Sequence, residues 1–266
     1  MSVINTNVSA LYSQNAMKVN SRAMSSAMEQ LSTGSRINSA KDDAAGLAIG
    51  QSMTSQIRGL NQAVRNANDG INMLQTAEGA MVEQSNMLQR MRELSVQASN
   101  GTYSSAQRAY LNTEFTQLAT QIDSIASQTT WNGTAVLTGT TGNGVSASSS
   151  GLFEFQVGQD ADQQISVTIP GMSGSALAIS AVTITTAALA ETAIDTIDTA
   201  LDTINSARAT LGATINQLTY AADNLTNISS NVTASRSSIM DTDYALASTQ
   251  LSKTQIIQQA STAMLA

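Results

Sequence analysis

From Ile194 to Ile239 the chain repeats at alternating steps of three and four residues without a slip. The places are held by Ile194, Ile197, Leu201, Ile204, Leu211, Ile215, Leu218, Ala222, Leu225, Val232 and Ile239, with Arg208, Ser229 and Arg236 filling the rest. That spacing averages 3.5 residues, which keeps the row on one side of a helix as a coiled-coil seam requires. A second row, Met53, Ile57, Leu60, Val64, Ala67, Ile71 and Leu74, lies in a stretch from Asp42 to Asn100 with helix signals at both ends. At ~1.5 Å per residue the two helices would run on the order of 70 and 85 Å. One compact domain does not bury helices of that length, so each needs other long segments beside it. The predicted fold class is mainly α: a long antiparallel helical coiled-coil rod or bundle with a small β-hairpin insert.

The remaining segments fit that plan. Val3, Ala10, Met17, Met24 and Leu31 are seven apart, Met28 adds to the same side and Gly34 ends the run, predicting a first helix over 2–33. Its apolar face is thin, so it is marginal alone. Asp42 and Asp43 suit a helix start, where a carboxylate accepts from free backbone donors, and Asn100-Gly101 suits a stop with Gly in the left-handed conformation. Gly46, Gly50, Gly59, Gly70 and Gly79 interrupt the long helix; either they soften it or they admit close neighbours. Ser104-Ser105-Ala106-Gln107 has the form of a capping box. Leu111, Phe115, Leu118, Ile122 and Ile125 then predict a helix ending near Trp131-Asn132-Gly133, folded back antiparallel on the preceding one. Residues 133–186 hold half of the 16 glycines and the one proline. There LFEFQVG and QISVTIP read as the strands of a hairpin, and Gly139–Gly151 as an exposed loop. Asp241-Thr242-Asp243 breaks the last seam, and an amphipathic tail from Tyr244 carries Leu251, Ile256, Ile257, Ala260 and Met264.

Composition narrows the function. The chain of 266 residues has no Cys and no His, which removes disulfides, thiolate metal sites and the usual nucleophile–histidine pairs. No catalytic, cofactor-binding or metal site is expected. Asp195, Asp198 and Asp202 are spaced as a solvated helix face rather than a ligand set. Between Arg108 and Arg208 there is no base and there are nine acids, while the rest carries 12 bases and 10 acids. Nucleic acid would want a basic stripe, so no nucleic-acid partner is expected. No run of 18 apolar residues predicts membrane insertion, and the first twenty residues lack the form of a secretory signal. Asn-X-Ser/Thr triplets begin at Asn7, Asn132, Asn224, Asn227 and Asn231. Three of them fall in a predicted helix. The Ser/Thr-rich stretch 138–150 reads as a polar loop, with O-linked sugars the alternative.

LQRMRELS at 88–95 offers a contact site. Leu88, Met91 and Ser95 continue an inward face. Arg90 and Leu94, four apart on the other side, would set an exposed apolar side chain beside a cation.

Taken together, INTNVSAL, QLSTGSRINSAKDDAAGLAI, RNANDGI at 65–71, LQRMRELSVQASNG, MDTDYA at 240–245 and LSKTQIIQQAST at 251–262 resemble bacterial flagellin over nearly the whole chain. The resemblance implies an inner coiled coil of both termini (D0) beneath a helical bundle with a β-hairpin (D1). The expected division is 1–42 and 236–266 for the terminal coiled coil, its C-terminal half shortened, and 43–235 for the bundle, with the hairpin near 150–170. It implies a structural subunit polymerising into the extracellular flagellar filament for motility and secreted by type III export. Its partners would be further flagellin subunits, a filament cap, junction proteins, an export chaperone and vertebrate Toll-like receptor 5. On the LQRxREL motif, Gln89, Arg90, Glu93 and Leu94 carry over as receptor or protofilament contacts, and Glu114 in LNTEFTQL joins them. A hook–filament junction protein is the alternative. An enzyme reading, through the protease some flagellins carry, lacks the HExxH histidines.

Overall fold

The computed structural model describes residues 8–139 and 151–265, and it is mainly helical as expected. Residues 1–7 and most of the loop expected at 139–151 lie outside the described residues, as do the sugars considered for that loop. In chain order the elements are α1 (Val8–Thr33), α2 (Ala44–Ser99), α3 (Ser105–Gln128), β1 (Thr130–Trp131), β2 (Thr134–Ala135), β3 (Leu152–Gln156), β4 (Gln164–Thr168), α4 (Ala187–Met240) and α5 (Tyr244–Leu265).

Local chemistry sets most of the boundaries. Gly34, at φ +71°, closes α1 and donates its N–H to Gln30 O. Asp43 accepts from Gly46 N at 2.9 Å to start α2. Ser104 and Gln107 form the expected capping box on α3. Asp243 accepts from Ala245 N and Leu246 N to start α5. The stop of α2 differs from expectation: Gly101 is not among the positive-φ glycines. Instead Arg108 reaches back from α3, donating Nε to Ala98 O at 2.7 Å and Nη2 to Asn100 O at 3.0 Å. A cation at a helix C-terminus complements its dipole, which makes the glycine conformation unnecessary. Another difference follows α3, which ends at Gln128 and gives way to a two-residue hairpin turning on Asn132 (φ 48°) and Gly133 (φ 79°). Asn-Gly is a strong hairpin signal because both central residues tolerate positive φ.

The chain divides into two compact units, one of residues up to Gly59 and from Asn227 on, the other Leu60–Thr226. The larger unit holds nearly all of the core. In α2 the buried line steps through Leu60, Ala63, Ala67, Gly70, Leu74, Ala77, Met81, Gln84, Leu88, Met91, Ser95 and Ala98. In α4 it steps through Ala190, Ala193, Ile197, Ala200, Ile204, Ala207, Leu211, Thr214 and Leu218. In α3 it is Phe115, Ala119, Ile122 and Ala126. All three keep the expected period, but small residues hold alternate places in α3 and along most of α4, and half of the places in α2. Val64, Ile71, Leu118, Ile125, Ile194, Leu201, Arg208 and Ile215, read as seam, are half-buried neighbours of that line. A methyl group fits the centre of a helix contact, while longer side chains reach in from its flanks. Arg92 joins α2 to α4 through a two-pronged pair with Asp198, Nε–Oδ1 2.6 Å and Nη2–Oδ2 3.2 Å. Hydrogen bonding to Arg92 lowers the Asp198 pKa.

The predicted hairpin is present: β3 and β4 pair antiparallel, Phe153 opposite Val167 and Phe155 opposite Ile165. It lies against α2, where Asn66 Nδ2 donates to Gln156 O at 3.1 Å. A Cβ on Gly70 would stand 2.9 Å from the Phe155 ring, so this glycine admits a close neighbour. Gly79, by contrast, faces open space. Gly70→Ala should therefore displace the ring and lower the melting midpoint. Gly79→Ala should raise it slightly, since Ala favours a helix by about 1 kcal/mol. Parallel melting curves settle the contrast, and equal shifts would show that Phe155 yields freely.

From Ile169 to Ile184 an irregular return segment runs from β4 towards α4. Ile169, Met172, Leu177, Ile179 and Ile184 are all buried, so it is part of the core rather than a surface loop. Buried irregular backbone needs hydrogen-bond partners from elsewhere. Met172 N donates to Leu137 O at 2.8 Å, Gly174 N to Asp123 Oδ1 at 2.7 Å and Ile184 N to Asn112 Oδ1 at 2.9 Å.

The smaller unit is built differently. Within it α1 and α5 pack together, with Asn20 Nδ2 donating to Thr254 O at 2.8 Å and to Gln258 Oε1 at 3.2 Å. The connections leaving α1 and α4 pair antiparallel: Arg36 N donates to Met240 O at 2.6 Å and Thr242 N to Gly34 O at 3.0 Å. Arg36 Nη2 also donates to Ile239 O at 2.5 Å, closing the end of α4. Among the described residues of this unit, the buried apolar side chains are Ala27, Ile37 and Ala247. Met28, Ile256 and Ile257, read as inward-facing, are exposed, and small Ala27, Ala247 and Thr254 take the inner places.

Candidate protein-contact site

Arg90, Glu93 and Glu114 come together on the surface of the larger unit. Two features of the sequence place them there. Arg90 and Glu93 are three apart on α2 and therefore neighbours, and the short α2–α3 connection returns Glu114 alongside. Arg90 Nε stands 2.9 Å from Glu114 Oε1, and Arg90 Nη1 stands 2.9 Å from Glu93 Oε2. Both carboxylates raise the Arg90 pKa, the hydrogen bond to Glu114 first. Arg90 and Glu114 are about half exposed, Glu93 is 68% exposed, and Gln89 is exposed beside them. The patch is a solvated, pre-positioned cation with two acceptors rather than a stability element, because exposed ion pairs contribute little.

Leu94 is not part of that surface. It is 1% exposed and belongs to the same core as Met91, Phe115 and Ala193. The expected pairing of an exposed leucine with Arg90 is thus corrected. In this bundle α2 faces both α3 and α4, so its buried arc is wider than a two-helix seam and takes in Leu94 as well as Ser95. Ser95 satisfies its hydroxyl on its own helix, donating to Met91 O at 2.8 Å. The step from Met91 to Leu94 to Ala98 is itself three and four, a second track beside Met91–Ser95–Ala98. Arg108 is the residue that the sequence reading missed here, and its place directly after the Ser104–Gln107 capping box was the available signal.

Long helices around a shared core, a thin terminal unit and small two-stranded sheets define a mainly helical protein. Residues 4–141 match the bacterial flagellin N-terminal helical region, and residues 194–266 the bacterial flagellin C-terminal helical region. The chain is 40% identical over 271 residues to the flagellar filament 31.3 kDa core protein of Treponema maltophilum, covering 99% of this chain and 95% of that one. The chain belongs to the bacterial flagellin family, a family of structural subunits of the flagellar filament.

Other similarities are partial. With flagellin C of Vibrio cholerae serotype O1 the chain shares 47% identity over 169 residues, 64% of this chain and 42% of that protein, so it spans under half the length of that relative. The crystal structure of Bacillus cereus flagellin is similar at a TM-score of 0.51 and 32% identity, over 60% of this chain and 88% of that one. A structure of a putative flagellar hook-associated protein from Vibrio parahaemolyticus has a TM-score of 0.61 at 14% identity, over 75% of this chain and all of that one. At that identity the likeness concerns fold alone.

Proposed function

We propose that the chain polymerises through its terminal unit into the extracellular flagellar filament, after export through the flagellar type III route. The observation that carries this reading is the contrast between the two units. The terminal unit buries Ala27, Ile37 and Ala247, yet it exposes Leu11, Tyr12, Val19, Leu246, Ile256 and Ile257. Leu246 is 71% and Ile256 65% exposed. Apolar surface of that density favours burial against further copies. A groove of about 540 Å³ beside the Arg36–Met240 crossing adds contact surface, with Arg36, Asp241, Asp243 and Leu246 in its lining. On this reading residues 1–42 and 236–266 form the inner coiled coil and 43–235 the bundle. The filament cap, junction proteins and an export chaperone on α5 are its transient partners.

The test is hydrogen exchange on residues 8–33 and 244–262, in dilute monomer and after seeded growth checked by electron microscopy. Expected are fast exchange in the monomer and strong protection in filaments. Equal protection in both states, or no filaments on seeding, would overturn the proposal.

The Arg90, Glu93 and Glu114 patch supports a second role as ligand of Toll-like receptor 5, with Gln89 at its edge. A cation fixed between two carboxylates, with its guanidinium half exposed, is already ordered for a polar contact.

A further inference from the structure

Gln84 occupies a seam position of α2, between Met81 and Leu88, where the period calls for an apolar side chain, and it is fully buried. Its Nε2 donates to two carbonyl oxygens on different elements, Met172 at 3.0 Å in the return segment and Ile122 at 3.3 Å in α3. Its Oε1 is buried without a partner. Because both groups it meets are carbonyls, the amide has one usable orientation; turned over, oxygen would face oxygen. A buried acceptor without a donor destabilises, so the orphan Oε1 offsets much of what the two donated bonds contribute; an apolar residue of similar volume would remove that orphan and leave Met172 O as another, for little net change in stability. With little net stability at stake, what Gln84 contributes is position.

The two acceptors differ in what they need. Ile122 O lies within α3, where helix carbonyls already accept along the chain. Met172 O lies in irregular chain that has no ladder of its own. The other ties on the return segment involve its N–H groups: Met172 N to Leu137 O, Gly174 N to Asp123 and Ile184 N to Asn112. Gln84 supplies a tie from α2 to its carbonyl side. We propose that Gln84 is the positioning residue of the return segment. It selects the docking of residues 169–184 on the bundle, and with it the place where the β3–β4 hairpin joins α4, with little net effect on bundle stability.

Gln84→Met in the full chain separates this from an ordinary core role. Exchange of the amides of residues 172–180 should rise about tenfold or more, the scale of one buried tie lost from a locally opening segment. Exchange in the central turns of α4, residues 197–218, should stay as it was, and the melting midpoint should move little, because one unpaired buried acceptor replaces another. Gln84→Leu, which fills the site with a different shape, should give the same pair of results. Unchanged exchange of 172–180 would show that the segment docks without the amide. Proportional acceleration of both regions with a lowered midpoint would make Gln84 a plain stabiliser. Disagreement between the two variants would mean that packing rather than the hydrogen bond was being read, and each of these results overturns the proposal.

Discussion

Leu218→Ala is expected to lower the unfolding free energy by about 2–5 kcal/mol, while Gln217→Ala should change it by less than about 0.5 kcal/mol. The two residues are adjacent on α4, have the same backbone and differ in which way they face. Leu218 is fully buried in the core that also holds Leu211 and Ala222, whereas Gln217 is exposed. Removing the leucine takes away its transfer free energy and leaves a cavity that neighbouring helices only partly close. For a domain of this size the midpoint should fall by roughly 4–20 °C. Circular dichroism melting of both variants is the measurement, and matching midpoints would place the seam in another register.

Leu94→Ala and Arg90→Ala should separate cleanly as well. Truncating Leu94, 1% exposed, should destabilise the bundle by about 2–5 kcal/mol, as any large-to-small change in a packed core does. Arg90→Ala removes only the exposed pairs with Glu93 and Glu114, so its melting curve should barely move. On the receptor reading its potency in a Toll-like receptor 5 reporter assay should nevertheless fall by about tenfold or more, the usual consequence of losing a central arginine anchor. Arg90→Ala is thus the clean test of recognition. Full potency for that variant would remove Arg90 from the contact. An unchanged melt for Leu94→Ala would show that the bundle tolerates a cavity at the end of α2.

What the sequence by itself determined were features whose physics is local. Gly34, Asp43, the Ser104–Gln107 box and Asp243 bound their helices because each acts on backbone groups within about one turn. Strand pairing of LFEFQ with QISVT was legible because alternation and a short polar loop suffice to specify a hairpin. The three-and-four period survived in every long helix for the same reason. What only the tertiary structure decided was which residues along that period lie deepest. Reading by hydrophobicity favoured Ile194, Leu201 and Ile215, while the core took Ala193, Ala200 and Thr214. Depth depends on how wide an arc the neighbouring helices cover, and no residue's own chemistry states that. The same arc put Leu94 inside and left Arg90 out. It made a core strip of Ile169–Ile184, with no periodic pattern of its own, and placed the Gln84 amide against Met172 O, 88 residues away. Arg108 could replace a glycine at the end of α2 because the fold brings α3 back to those carbonyls. Short-range signals fix the elements; the buried face of each depends on what the others place against it.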